Sequence, residues 1–87
     1  MSDWIRKMEK YKDFDIGDVY YHPMNNFYVY IFVIDKSNST KLNDIKNLIS
    51  YFGGSFINGI GGLIMASDFK TEEQAIYFRK TLIMEYG

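Results

Sequence analysis

The sequence predicts a single small α+β domain, and three features of the chain predict it. Apolar residues recur with helical spacing in two segments, 41–52 and 72–84. The segment Phe27–Asp35 (FYVYIFVID) alternates with the period of two that is typical of a β-strand. The chain has 87 residues, enough for one domain, and 47% of them are hydrophobic, enough to build a core.

Charge and composition exclude several classes of function. Ten Lys and Arg residues oppose eleven Asp and Glu residues, so the net charge of −1 gives no global attraction to nucleic acid or to anionic membranes. The absence of cysteine excludes disulfides and thiolate chemistry. No segment approaches the ~18 apolar residues of a membrane span, and no secretion signal is visible, so we expect a cytoplasmic protein. The abundance of Ile, Tyr, Asn and Lys indicates an AT-rich genome, such as that of a phage or a low-GC bacterium.

The N-terminal part is predicted to contain a helix, a loop and a short strand. Ser2 can cap a helix over residues 3–12, with Trp4 and Met8 in its apolar stripe. Residues 13–18 resemble a polar loop. Val19–His22 is predicted to be an edge strand that forms an antiparallel hairpin with Phe27–Asp35.

The two faces of the Phe27–Asp35 strand differ in chemistry. Alternation places an aliphatic set on one face, which suits a helix-covered core: Val29, Ile31 and Val33. It places Tyr28, Tyr30 and Phe32 on the other face. That face is either exposed, as an interface would be, or covered by the N-terminal helix, in which case Trp4 and Met8 would contact Tyr28 or Tyr30.

The second half of the chain is predicted to be helix, hairpin and helix. The first helix spans residues 41–52, follows hydroxyl residues that can cap it, and ends at Gly53–Gly54. Asn58–Gly59 predicts a tight turn between Phe56–Ile57 and Leu63–Phe69, although Gly61–Gly62 would allow a turn slightly later. The second helix begins at a capping box, Thr71 with Gln74, and is expected to bury Ala75, Phe78 and Leu82.

From Phe27 onward the predicted order is β-α-β-β-α. This is the ferredoxin-like split βαβ unit without its last strand. Val19–His22 precedes Phe27 and can pair beside it. We therefore expect a circularly permuted ferredoxin-like sheet of about four strands, with two packed helices and a short N-terminal helix.

Three segments between Tyr30 and Leu82 resemble an RNA-recognition-motif domain: Tyr30–Asp35, Tyr51–Phe52–Gly53 and 68–75. The resemblance implies that exposed sheet aromatics, Tyr28 or Tyr30 among them, stack on bases. If Phe69 matches the closing Phe of the second signature strand, its stacking positions fall on Ile64 and Ala66. Its basic position then falls on Gly62. This departure counts against nucleic-acid binding.

No candidate catalytic or metal site outweighs a structural interpretation. His22 is the only histidine and has no obvious partner. Asp13, Asp15 and Asp18 do not match a calcium loop, because its sixth and twelfth positions would be Asp18 and Met24. Glu72 and Glu73 are adjacent in a helix and so do not face each other. We therefore predict no enzyme activity, no metal and no cofactor.

The function predicted from the sequence is that of a small non-enzymatic interaction module. Its predicted binding residues are Tyr28, Tyr30 and Phe32, with Ile64 beside them. The expected partner is another protein or a second copy in a homodimer, and inhibition of a host protein by a phage protein is a special case. The free edge at Val19–His22 is a second possible contact. The alternative is a single-stranded nucleic-acid-binding domain, with Lys36 or Lys41 contacting phosphates, and a small enzyme ranks last.

Overall fold

The computed structural model describes residues 8–35 and 37–87. These residues form an antiparallel sheet of five strands with the order β1-β2-β3-β5-β4. The strands are β1 (Glu9–Lys10), β2 (Phe14–His22), β3 (Asn26–Val33), β4 (Ser55–Asn58) and β5 (Leu63–Phe69), and the helices are α1 (Ser39–Tyr51) and α2 (Glu72–Tyr86). The α+β class is confirmed, with one strand more than predicted.

The predicted N-terminal helix is wrong over its described end. Glu9 and Lys10 form β1, which pairs with Ile16 and Asp15 of β2. Residues 1–7, including Ser2 and Trp4, lie outside the described residues. Pairing with β2 gives Glu9 and Lys10 backbone hydrogen-bond partners on one side, and this tertiary contact overrides the helical spacing of Met8 and Tyr11.

The predicted loop at 13–18 is also wrong, because β2 already begins at Phe14. Phe14 and Ile16 are fully buried, whereas Asp15 between them belongs to the other face of the sheet. This is the alternation of a half-buried strand. The sequence predicted a loop here because Asp is depleted in strands and common in loops.

The hairpin between β2 and β3 is confirmed. Val19 pairs with Val29, and the pairing continues to His22 opposite Asn26. The turn is closed by a hydrogen bond from the Asn25 N–H to the His22 carbonyl, 2.9 Å long. Val19–His22 is not a separate edge strand but the second half of β2. The first half of β2 is covered by β1, and a register shift separates the two halves between Ile16 and Val19.

Both helices begin and end close to the predicted positions. The N-cap of α1 is the Asn38 side chain, which accepts a hydrogen bond from the Lys41 N–H, so the hydroxyl residues that follow are already helical. Gly53 follows α1 with a φ of +83°, which suits a residue without a side chain. At the start of α2 the capping box of Thr71 and Gln74 is present, as predicted.

The turn between β4 and β5 is the later of the two that the sequence allowed. It lies over residues 59–62, and the Gly59 N–H donates to the Leu63 carbonyl at 2.7 Å. Gly61 and Gly62 have positive φ angles, which favour glycine.

The core lies between the helices and the aliphatic face of the sheet. Val29, Ile31 and Val33 are buried there, as predicted. The helices contribute Ile45 and Ile49 from α1 and, as expected, Ala75, Phe78 and Leu82 from α2. Both helices therefore cover the same face of the sheet.

Arg79 of α2 ties the helix to the first half of β2 and to β1. Its Nε donates to the Gly17 carbonyl at the register shift, and its Nη2 donates to the Glu9 carboxylate, both at 2.8 Å. The hydrogen bond from Arg79, and then the one from the Tyr11 hydroxyl, lowers the pKa of Glu9.

Candidate interaction surface on the sheet

The face of the sheet that points away from α1 and α2 has an apolar and aromatic centre, with polar residues such as Asp15 on the same face. Residues that are directly opposite in an antiparallel pair share a face. Tyr20 is opposite Tyr28, Met65 is opposite Tyr30, and Leu63 is opposite Phe32. Ile57 is opposite Met65 on the far side of β5. We call this surface the aromatic face: Tyr20, Tyr28, Tyr30, Phe32, Ile57, Leu63 and Met65.

The tyrosines of the aromatic face pack on one another. The Tyr28 ring lies 5.9 Å from the Tyr20 ring and 5.4 Å from the Tyr30 ring, edge-on to the latter. Such tilted and edge-to-face contacts are the favoured geometry of aromatic pairs. Burial, and then the neighbouring Tyr30 and Tyr20, raise the pKa of Tyr28. The three rings therefore form a preorganised apolar block.

The exposed part of the aromatic face lies toward Phe32 and β4. Phe32 is 38% exposed and Ile57 is 42% exposed, whereas the three tyrosines are half-buried. A shallow groove of about 170 Å³ opens here between Tyr30, Ile57, Gly59, Leu63 and Met65. This groove could enclose one apolar side chain of another molecule.

Met8 lies at the other end of this face. Only 7% of it is exposed. A Cβ placed on Gly17 would stand 3.9 Å from both Met8 Cγ and Tyr30 Cβ, so both side chains border Gly17. Contact of Met8 with Tyr28 or Tyr30 belonged to only one of the two arrangements that the sequence left open, the one in which an N-terminal helix covers this face, and Glu9–Lys10 is a strand instead. The matching prediction for Trp4 lies outside the described residues.

Ile64 does not belong to the aromatic face, and its prediction as a binding residue is wrong in this respect. It is fully buried and lies opposite Ile31 in the core. Ala66, the other position matched to a base-stacking residue, is also fully buried. Leu63 and Met65 occupy the sites that Ile64 was expected to fill. Alternation in β5 separates these two sets, but only the register with β3 shows which set is buried.

The basic residues proposed to meet phosphates are not arranged for that task. Lys41 Nζ lies 3.5 Å from the Asp13 carboxylate and 4.6 Å from the centre of the Tyr86 ring, and its side chain is 15% exposed. Lys36 lies outside the described residues. The charged pair beside Phe32 is Asp15 with Lys10, 3.5 Å apart.

The other residues considered as candidates in the sequence have structural roles. His22 Nδ1 accepts a hydrogen bond from the Met24 N–H at 3.1 Å and so stabilises the β2–β3 turn. Glu72 and Glu73 occupy the first turn of α2, where their negative charges interact favourably with the helix dipole and stabilise the helix. Within 8–35 and 37–87, no group of three or more His, Asp or Glu side chains could hold a metal ion.

Comparisons of this chain with protein-family models, with curated proteins and with solved structures gave no significant match. In the described part of the chain, neither helix has the length and apolar character needed to cross a membrane.

Proposed function

We propose that this chain is a non-enzymatic interaction module that binds a protein partner through the aromatic face. One observation carries the proposal: aromatic and aliphatic side chains are contiguous across β2, β3, β5 and β4 on one face of the sheet, and α1 and α2 both lie on the opposite face. Contiguous exposed apolar patches on small domains usually mark interfaces. Phe32 and Ile57 are the side chains with the most surface to bury.

The geometry supports a partner that presents an apolar segment. The groove beside Tyr30 and Met65 suits one aliphatic or aromatic side chain. The packed tyrosines lose little side-chain entropy on binding, as anchor residues should. A second copy of the chain that docks face to face is the homodimer form of this proposal. The proposal also includes a circularly permuted ferredoxin-like fold, which the strand order β2-β3-β5-β4 supports. It further includes a cytoplasmic location and a phage origin.

Single-stranded nucleic acid is the second candidate ligand. The packed row of Tyr20, Tyr28 and Tyr30 favours it, because bases stack on sheet aromatics. The aliphatic character of Leu63 and Met65 and the engagement of Lys41 with Asp13 weigh against it. The protein partner is therefore the better-supported proposal.

The experiment is a selection of random displayed peptides against the immobilised full chain, followed by affinity measurements on two variants. We expect ligands rich in aromatic and aliphatic residues, whose affinity falls about tenfold or more with Phe32→Ser, because truncating an anchor residue typically costs about 2 kcal/mol or more and about 1.4 kcal/mol is already tenfold. Tyr77→Ser removes an aromatic ring that is 56% exposed on α2 and serves as the matched control. Its affinities should equal those of the wild type.

Two results would contradict the proposal. One is a set of ligands that bind wild type and Phe32→Ser equally well. The other is tight binding of a labelled oligothymidylate that weakens steeply with added salt and is lost in Phe32→Ser, which would favour the nucleic-acid alternative.

A further inference from the structure

Among the described residues, the outer edge of β2 is unpaired along its second half. β1 pairs only with Asp15 and Ile16, and the register shift follows directly. Beyond it, no strand within the described ranges lies on the outer side of Val19–His22. The free N–H and C=O groups of such an edge are a template for another strand.

A groove runs between this edge and α2. It has a volume of about 420 Å³; Asp18, Val19 and Tyr20 of β2 line one side, and Glu72, Ile76, Arg79 and Lys80 of α2 line the other. Helical residues three or four apart face the same side, so this stripe of α2 overhangs the β2 edge. Val19 and Ile76 are half-buried and make the middle of the groove apolar.

The charges on this stripe of α2 are complementary to those of an antiparallel copy of itself. Glu72 precedes Ile76 by four residues, and Lys80 follows it by four. A two-fold axis at Ile76 would therefore bring Glu72 of each copy beside Lys80 of the other. In the part of the chain that the structure describes, neither Glu72 nor Lys80 forms an ion pair of its own. Arg79 is already engaged with Gly17 and Glu9.

We propose that two copies of this chain pair antiparallel along the Val19–His22 edge of β2, with their α2 helices side by side and Glu72 of each beside Lys80 of the other. The two sheets become one continuous sheet. Because the axis is perpendicular to that sheet, all four helices lie on one side and both aromatic faces lie on the other. The dimer contact includes no residue of the aromatic face except the Tyr20 backbone. The inference therefore goes beyond the proposed function, and the dimer carries two aromatic faces that can bind a partner together.

The opposite edge of the sheet is less suited to a second copy. The outer side of β4 is also unpaired among the described strands, but the neighbouring charge on α1 is Lys46, whose Nζ lies 5.8 Å from the centre of the Phe56 ring. A two-fold axis at β4 would bring Lys46 toward its own copy. Like charges opposed in this way destabilise an interface.

The experiment is sedimentation velocity on the full chain over a wide range of concentrations. Wild type should show a reversible monomer–dimer equilibrium. We expect Lys80→Glu to raise the dimer Kd about tenfold or more, because each dimer contains the contact twice. Glu72→Lys should weaken the dimer in the same way, and the double variant E72K/K80E should restore it. Lys46→Glu changes the net charge as Lys80→Glu does and should leave the Kd unchanged.

A wild type that stays monomeric at every concentration would overturn the inference. The inference would also be overturned if Lys80→Glu left the dimer Kd unchanged, or if the double variant E72K/K80E did not restore the wild-type Kd. A dimer that is lost in Phe32→Ser but kept in Lys80→Glu would place the contact on the aromatic face, which overturns this inference and leaves the proposed function standing.

Amide exchange provides an independent readout of the edge. Exchange at Val19–His22 should slow as the concentration rises, while exchange at β4 should not change. The reverse pattern would assign the dimer to the β4 edge and overturn the inference.

Discussion

Gly54, which lies between α1 and β4, allows a sharp test of the core packing. A Cβ on this residue would stand 2.7 Å from Cε1 and Cζ of Phe69 and 3.0 Å from the Ser67 carbonyl oxygen. Carbon atoms pack best at about 3.5–4.0 Å, so Gly54→Ala forces the Phe69 ring to move. The ring is fully buried and stacks on Phe78 with 5.3 Å between ring centres, so it has little room.

Overpacking of this kind costs about 1–3 kcal/mol. Gly54 does not have a positive φ, so alanine recovers part of that cost, roughly 0.4–1 kcal/mol, by restricting the unfolded chain. At the middle of both ranges the net loss is about 1.3 kcal/mol, which should lower Tm by roughly 5–10 °C in a domain of this size. Circular dichroism or calorimetry would measure it.

Gly17→Ala is the matched control, because its Cβ would find its nearest neighbour at an ordinary 3.6 Å. Its Tm should stay level or rise slightly. If the Phe69 ring is the obstacle, Phe69→Leu should relieve part of the Gly54→Ala penalty, and the two changes should not be additive. A Gly54→Ala variant as stable as wild type, or strict additivity with Phe69→Leu, would refute this explanation.

Two further predictions concern polar groups of the sheet. Ser67 is 1% exposed, and its Oγ has no hydrogen-bond partner within the described structure. Urea titration should therefore show that Ser67→Ala raises the free energy of unfolding by about 1 kcal/mol. A decrease of similar size in that free energy would show that the hydroxyl is hydrogen-bonded in solution. The raised pKa of Tyr28 means that its contribution to stability is complete below the pKa of an unfolded tyrosine, about 10, and is lost as pH rises through the folded pKa. Ultraviolet titration of Tyr28→Phe should therefore show one phenol fewer ionising at high pH than wild type. Above pH ~10 the stability of Tyr28→Phe should also fall less than the stability of wild type. A variant whose highest-pH phenol ionisation is the same as in wild type would contradict the assignment to Tyr28.

Local patterns predicted the elements whose environment is local. The alternation of β3 correctly assigned Val29 and Ile31 to the core and Tyr28 and Tyr30 to the other face, because a strand's side chains must alternate. The start of α2 was equally predictable, since Thr71 and Gln74 cap each other within four residues of chain.

Register between distant strands was not predictable in the same way. β3 and β5 are separated by α1 and β4, so nothing near Ile64 in the sequence shows that it faces Ile31. A slip of one residue exchanges the two faces of a strand. This is why Ile64 was assigned to the aromatic face, and why Leu63 and Met65 were missed there.

The sequence by itself determined the α+β class, both helices and the two unlike faces of β3, because helical and strand periodicities are properties of neighbouring residues. Only the tertiary structure decided that Glu9–Lys10 and the aspartate-rich start of β2 join the sheet, since strand pairing and the Arg79 contacts provide the partners that those polar segments lack locally. The tertiary structure also decided that α1 and α2 share one face of the sheet. That choice leaves the aromatic residues of β3 on the opposite side, with Leu63 and Met65 beside them.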